Sequence, residues 1–283
     1  MIDERLIELA RDPAFWRAVA PKLGVGARTT MLPCVPGGDL VAQAGRQIRE
    51  DGYLRVPDLA LGDELARLRD GIARVTAQGW PAVFVFLYDE PWLLFASMRP
   101  LLSALLGEDY HSLAGFWAWS LAPDHAARGW LPHRDRGTPC VRADGMPEIM
   151  TLWIAVTDAT PENGCIYTLP ASRDPNYRTD LALNEVAHWE DVRALPAPAG
   201  TVLGWTQQLL HWGGRSSRWA KQPRVSFSME FQRADFPLVN APLDAEVPTF
   251  EDRAQLIGRQ IRNYAHMDPP NAALTLLAEA LTR

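Results

Sequence analysis

His133 and Asp135 stand one residue apart in the segment LPHRDRG, in a chain that has six histidines. In an extended segment, residues i and i+2 point to the same side, so an imidazole nitrogen and a carboxylate here can converge on one cation while Arg134 points away. Two ligands are not a site. His211, in LLHWGG, offers a third donor at the end of an apolar strand and just before a Gly-Gly turn. Two histidines and one carboxylate would occupy one face of an octahedral ion and leave three positions open, an arrangement suited to O2 activation at non-haem Fe(II). The plainer alternative is a solvated, charged turn at 133–135 and an unrelated packing histidine at 211.

A second set lies in RVSFSMEFQ, residues 224–232. Val225, Phe227, Met229 and Phe231 form one apolar face, and Arg224, Ser226, Ser228 and Glu230 form the other. Alternation alone describes a half-exposed strand with its polar face in water. If that face instead lines a wet barrel interior, the Arg224 guanidinium and the Ser226 hydroxyl can together hold a carboxylate, which the planar fork of arginine matches with two hydrogen bonds.

Elements able to position these groups can be read along the chain. GDLVAQAGRQIREDGY predicts a helix with Leu40, Val41, Ala44 and Ile48 on one face, Asp39 as its cap and Asp51-Gly52 as its stop. YLRVPDL predicts a short strand, and GDELARLRDGIARVTAQG a second amphipathic helix ending at Gly79. From about residue 114 the period changes to two. AGFWAWSLAP, IMTLWIAVTD, GCIYTLP, GTVLGWTQQLLHW and RVSFSMEFQ are short segments divided by Pro, Gly, Asn and Asp, which points to a sandwich or jelly roll and not to alternating strands and helices. TFEDRAQLIGRQIRNY and NAALTLLAEALTR predict two closing helices. The expected organisation is mainly β: one domain over residues 1–283, helical to about 110, a β core over about 114–232 and a helical tail over about 249–283.

Composition narrows the class. A net charge of -6 gives no footprint for nucleic acid, which is bound through clustered Lys and Arg. Cys34, Cys140 and Cys165 are an odd set without CxxC spacing, which argues against a disulfide framework or zinc knuckle and suits a reducing cytoplasm. The N-terminal MIDERLIELARD is no export signal, and the most apolar run, AVFVFLY, is too short to span a bilayer. A cytoplasmic protein acting on a small molecule, without nucleic acid or membrane, is expected; its oligomeric state is open.

Taken together, HRD, TDATPENGCIYTLPASRD, GTVLGWTQQLLHWGG and RVSFS, in that order, resemble the phytanoyl-CoA dioxygenase family of Fe(II)- and 2-oxoglutarate-dependent oxygenases. EDGYLRVPDLALGDELARLRDGI resembles the family's N-terminal signature, so the similarity runs from about residue 48 to about 232. The resemblance implies a double-stranded β-helix core buttressed by helices. It implies His133, Asp135 and His211 as ligands to Fe(II), and Arg224 as the partner of the distal carboxylate of 2-oxoglutarate; Ser226, from the strand pattern above, is expected to share that carboxylate. Thr151 is a further expected cosubstrate contact, with an ordinary β-sheet role as its alternative. The activity implied is hydroxylation or a related oxidation of a C–H bond, with O2 consumed and 2-oxoglutarate decarboxylated to succinate and CO2. Relatives that halogenate carry a small residue where this chain has Asp135.

The chain departs from the family at PASRD, where a Pro-Gly-Ser-His turn is common, and in HWGGRSSRW, which lacks an asparagine often found after the second histidine. Both departures weigh against assuming a fatty acyl-CoA substrate. Trp117, Trp119 and Trp205 are expected near the pocket, and Arg134 and Arg215 are candidates for a substrate carboxylate or phosphate. Two histidines and a carboxylate also serve zinc, so a cupin-like isomerase or hydrolase, or a non-catalytic binding module on the same fold, stays as an alternative.

Overall fold

The computed structural model describes residues 4–26, 36–57, 59–124, 127, 129–179, 184–186 and 188–283. Cys34 and His125 lie outside them. Helices α1 (Glu4–Arg11), α2 (Pro13–Val19) and α3 (Gly38–Asp51) lead into strand β1 (Tyr53–Val56). Helix α4 (Asp63–Ala77), a 3-10 segment over Ala82–Leu87, α5 (Asp89–Ala96) and α6 (Arg99–Leu106) follow. The β core comprises β2 (His111–Leu121), β3 (Ile149–Ala155), β4 (Ile166–Leu169), β5 (Arg193–Leu195), β6 (Val202–Thr206), β7 (Leu210–Gly213) and β8 (Arg224–Gln232). Helices α7 (Phe250–Asn263) and α8 (Ala272–Leu281) close the chain. None of the described helices is long and apolar enough to cross a membrane.

Two antiparallel sheets, in the orders β1-β6-β3-β8-β2 and β5-β4-β7, make the jelly roll. The larger sheet buries its apolar face against the helical layer, where Phe227 of β8 meets Phe95 and Phe86 edge-on at 5.5 and 6.0 Å. Such edge-to-face pairs suit the quadrupoles of aromatic rings and add to the apolar area they bury. Its polar face therefore turns inward: Arg224 and Ser226 are fully buried, so the half-exposed alternative for this strand does not hold.

Three sequence expectations change in detail. Asp39 lies in the first turn of α3 and Gly37 is the N-cap; Gly52, left-handed at φ 75°, is the stop as expected. The β core reaches back to β1, which pairs with β6, and β2 opens at His111. The stretch 202–213 is two strands in different sheets, because the chain turns at Gln207–Leu209, where Leu209 N–H bonds back to Thr206 O.

The tail is tied to the frame by buried polar groups. Arg253 of α7 donates to Asp89 Oδ1 at 2.7 Å and to the carbonyls of Leu87 and Pro248. Two turns further on, Gln260 meets the bulge where the β2–β8 register shifts between Ser112 and Phe116. Its amide donates to Ala114 O at 2.9 Å and accepts from Phe116 N–H at 3.4 Å, satisfying backbone groups that the bulge frees from the ladder. This docking fixes the end of α7, and with it Tyr264, over the open end of the core.

Candidate metal centre and its pocket

His133 and His211 face each other as an isolated antiparallel bridge, each backbone N–H donating to the other's carbonyl at 3.0 Å. The pairing brings residues 78 positions apart to one place and sets their rings 4.6 Å apart. Each Nδ1 lies against the carbonyl two residues earlier, Leu131 O at 2.8 Å and Leu209 O at 3.0 Å. A carbonyl only accepts, so in the neutral ring Nδ1 carries the proton and the Nε2 lone pair is left for a ligand. Both Nε2 atoms point at Asp135 Oδ1, at 3.2 Å from His133 and 3.7 Å from His211. The three donor atoms lie within 4.8 Å of one another. Neighbouring ligands about 2.1 Å from an octahedral ion sit about 3 Å apart, so the set fits a small divalent cation with little movement.

The carboxylate is held by its other oxygen. Asp135 Oδ2 accepts from Trp205 Nε1 at 3.1 Å and from Thr151 Oγ1 at 3.3 Å, which leaves Oδ1 to the histidine pair. Gln207 donates to Thr151 Oγ1 at 3.4 Å and accepts from Arg136 Nε at 2.9 Å, extending the support outward. Partners of this kind orient a ligand and tune its basicity. Burial by itself would raise the Asp135 pKa, but the two histidines and the indole N–H outweigh it and hold the carboxyl well below the usual range. Burial takes His211 down to about 4, so its ring is neutral near pH 7 and ready to ligate.

Arg224 is the other unusual group. It is fully buried, its Nη1 donates to Ser226 Oγ at 3.2 Å, and its Nε and Nη2 have no partner. Desolvation lowers its pKa to about 10, so at neutral pH it stays a cation, with no facing carboxylate among the described residues. An uncompensated buried charge costs several kcal/mol, and an anion taken up by the site would offset that cost. Gly213, two residues beyond His211, leaves space beside it: a Cβ there would sit 3.6 Å from Nη2.

A cavity of about 520 Å³ opens over His133 and Asp135, walled by Trp130, Leu131, Glu230, Tyr264 and Met267. Of the expected pocket residues, Trp117 and Trp119 do not reach it. Trp117 stacks behind Tyr264 at 4.9 Å, and Trp119 packs behind Trp130 at 4.9 Å, because they sit on the buried length of β2. Arg134 is an anchor and not a substrate ligand: its guanidinium binds both oxygens of Asp174, at 2.6 and 3.0 Å, and the carbonyl of Gln208 at 2.6 Å. Trp205 and Thr151, expected as substrate and cosubstrate contacts, hydrogen-bond Asp135 Oδ2 and so support the donor carboxylate. Arg215 is exposed past the end of β7 and does not line the cavity. Trp130, Gln207 and Glu230 escaped the sequence reading as site residues. Only the polar alternation of β8 hinted at Glu230.

The comparisons agree with this geometry. The family model for phytanoyl-CoA dioxygenase (PhyH) matches residues 82–221, a span that includes all three donors. The chain is PhyH-like over this span. Among curated proteins, the dioxygenase lolE1 of Epichloe uncinata is 30% identical over 146 residues, 43% of this chain and 55% of that protein; the match thus spans about half the relative's length. Solved structures share the fold at lower identity. The epimerase SnoN, solved in complex with Fe3+, alpha ketoglutarate and nogalamycin RO, aligns over 74% of this chain and 97% of its own, with a TM-score of 0.55 and 18% identity. EctD from S. alaskensis, with 2-oxoglutarate and 5-hydroxyectoine, aligns over 80% and 92%, with a TM-score of 0.52 and 17% identity. The PhyH-like chain therefore has the jelly-roll fold of these oxygenase-type proteins.

Proposed function

We propose that this PhyH-like chain is a single-domain Fe(II)- and 2-oxoglutarate-dependent dioxygenase that hydroxylates a C–H bond of a small molecule. The observation that carries the reading is the pairing of one three-donor cluster with an unpaired buried guanidinium, Arg224, on the same barrel interior. A metal hydrolase or isomerase needs the donors but has no use for an isolated buried cation; a dicarboxylate cosubstrate needs both.

His133, Asp135 and His211 would hold the iron through Nε2, Oδ1 and Nε2. Trp205 and Thr151 fix the ligating carboxylate, so that its geometry is set before metal arrives. Arg224, with Ser226, would take the distal carboxylate of 2-oxoglutarate and so orient the cosubstrate toward the ligand set. When bound, the iron together with 2-oxoglutarate and O2 supplies the oxidising power, with the cosubstrate leaving as succinate and CO2. Trp130, edge-on to His133 at 5.9 Å and His211 at 6.2 Å, walls the donors off from water on one side, and the cavity positions the C–H bond to be oxidised.

The test is a screen of small molecules, free and carrier-bound, for stimulated succinate release by protein loaded anaerobically with Fe(II) and then given 2-oxoglutarate and O2. Succinate formation with a product heavier by one oxygen is the expected result. Turnover independent of 2-oxoglutarate, or undiminished in an Asp135→Ala variant, would refute the assignment.

A further inference from the structure

The cavity wall carries one acidic group that the metal and cosubstrate leave without a role. Glu230 lies on β8, on the face that also carries Arg224 and Ser226, and its Oε2 is buried with no hydrogen-bond partner. The strand beside it is shaped around this carboxylate. At the bulge of β2, a Cβ on Gly115 would sit 2.5 Å from both Cδ and Oε2 of Glu230, so any larger residue there would displace the carboxyl group.

A salt bridge to a neighbour does not account for it. The nearest cation, Arg136, reaches Oε2 only at 4.0 Å, because its Nε is engaged by Gln207 Oε1 at 2.9 Å. The other basic groups in the described lining of the cavity are engaged elsewhere: the Arg134 guanidinium is bound by Asp174, His133 turns its Nε2 to Asp135 Oδ1 and its Nδ1 to Leu131 O, and His266 is exposed with its Nδ1 on Asn263 O. The same cavity presents two aromatic side chains, Tyr264 and Trp130. Tyr264 is fixed by stacking on Trp117 at an interplanar angle of 19°.

A buried carboxylate with a free oxygen, beside immobilised aromatic rings, is a binding place for a cation. Attraction to the carboxylate and to the ring faces acts on the same charge, and both gain from exclusion of water. We infer that Glu230 is the substrate-recognition residue of this cavity and that the substrate is a small molecule carrying a protonated amine. The ammonium sits against Glu230 between Tyr264 and Trp130, and the carbon skeleton extends toward His133 and Asp135. This deepens the oxygenase reading and rests on it only for the place of the reacting carbon. Burial, with the Asp135 charge nearby, outweighs Arg136 and Gln207 and pushes the carboxyl's pKa up to about 7, which accords with a site completed by an incoming cation.

Three probes of one shape test it: cyclohexylamine, cyclohexanol and cyclohexanecarboxylate. Their binding to the metal-free protein, and to protein holding Fe(II) and 2-oxoglutarate without O2, is measured by ligand-observed NMR titration. In the wild type the amine is expected to bind at least about tenfold more tightly than the alcohol, with the carboxylate weakest. Glu230→Gln, nearly isosteric, should bring amine and alcohol to within about twofold. Gly115→Ala, which reaches the same carboxylate from the opposite strand without removing a polar group, should weaken the amine at least about fivefold. Thermal unfolding of each variant verifies that it is folded. The inference is overturned if the amine shows no binding, if alcohol or carboxylate binds as tightly, or if Glu230→Gln keeps the amine preference. Amine preference in a protein that fails to take up Fe(II) would sink the oxygenase reading and leave the recognition intact; loss of preference with normal iron binding does the reverse.

Discussion

Two buried arginines, Arg134 and Arg224, come from the two sequence segments that build the site, and their surroundings are opposite. Arg134 is matched by both oxygens of Asp174 and by the Gln208 carbonyl. Arg224 has one hydroxyl, from Ser226, and two nitrogens without partners. A compensated buried cation holds chain segments together, and in this case it clamps the 133–135 ligand segment to the loop at 174 and to the turn before His211. An uncompensated one stores unfavourable desolvation that an incoming anion relieves. The same residue type is thus a fastener at one position and a receptor at the other, and what separates them is the facing carboxylate.

This contrast yields predictions of opposite sign. Asp174→Ala removes the carboxylate that faces the buried Arg134 guanidinium and is expected to cost about 3–5 kcal/mol, read by denaturant unfolding; a loss below about 0.5 kcal/mol would mean that Arg134 is no fastener. Trp205→Phe removes the indole hydrogen bond to Asp135 Oδ2 and should lower metal affinity about 10- to 100-fold with unchanged fold, measured by competition with a chelator. Gln260→Leu frees Phe116 N–H at the β2 bulge, leaves Ala114 O to the Asn240 amide alone, and is expected to cost about 1–3 kcal/mol, together with weaker protection of the Phe116 amide in hydrogen exchange. Arg224→Met, unlike Asp174→Ala, should leave the stability of the ligand-free protein equal to or above the wild type, because it removes a buried charge that no carboxylate faces and that only the Trp153 ring and the Ser226 hydroxyl attend; a fall of about 2 kcal/mol or more would mean that a further partner exists. Arg215→Ala, on an exposed arginine away from the cavity, should change stability by less than about 0.5 kcal/mol and leave turnover within about twofold.

Much of the site was legible because its chemistry is local in sequence. The spacing of His133 and Asp135, the isolation of His211 and the alternation of Arg224 and Ser226 are all visible in short windows, and the resemblance joined them into one family pattern. The helices around α3, α4, α7 and α8 were legible from their period. What escaped depends on pairings across the chain. Arg134 gives no sign of Asp174, 40 residues away. The alternation of β8 cannot say which face meets water, since that depends on helices more than a hundred residues earlier. The turn at Gln207–Leu209 carries no Gly or Pro, so β6 and β7 read as one strand, and Gln207 went unrecognised as the link between Arg136 and Thr151. Gly115 reads as an interruption of a strand, and only the folded chain shows it making room for Glu230.

The most direct test of the central claim is the affinity of 2-oxoglutarate for Fe(II)-loaded protein without O2, measured by calorimetry for the wild type and for Arg224→Met. The account predicts that both proteins bind iron equally and that the variant loses the cosubstrate by about 100-fold or more, a difference near 2.7 kcal/mol. Equal 2-oxoglutarate affinity in the two proteins would contradict it, because the buried guanidinium would then be serving something else.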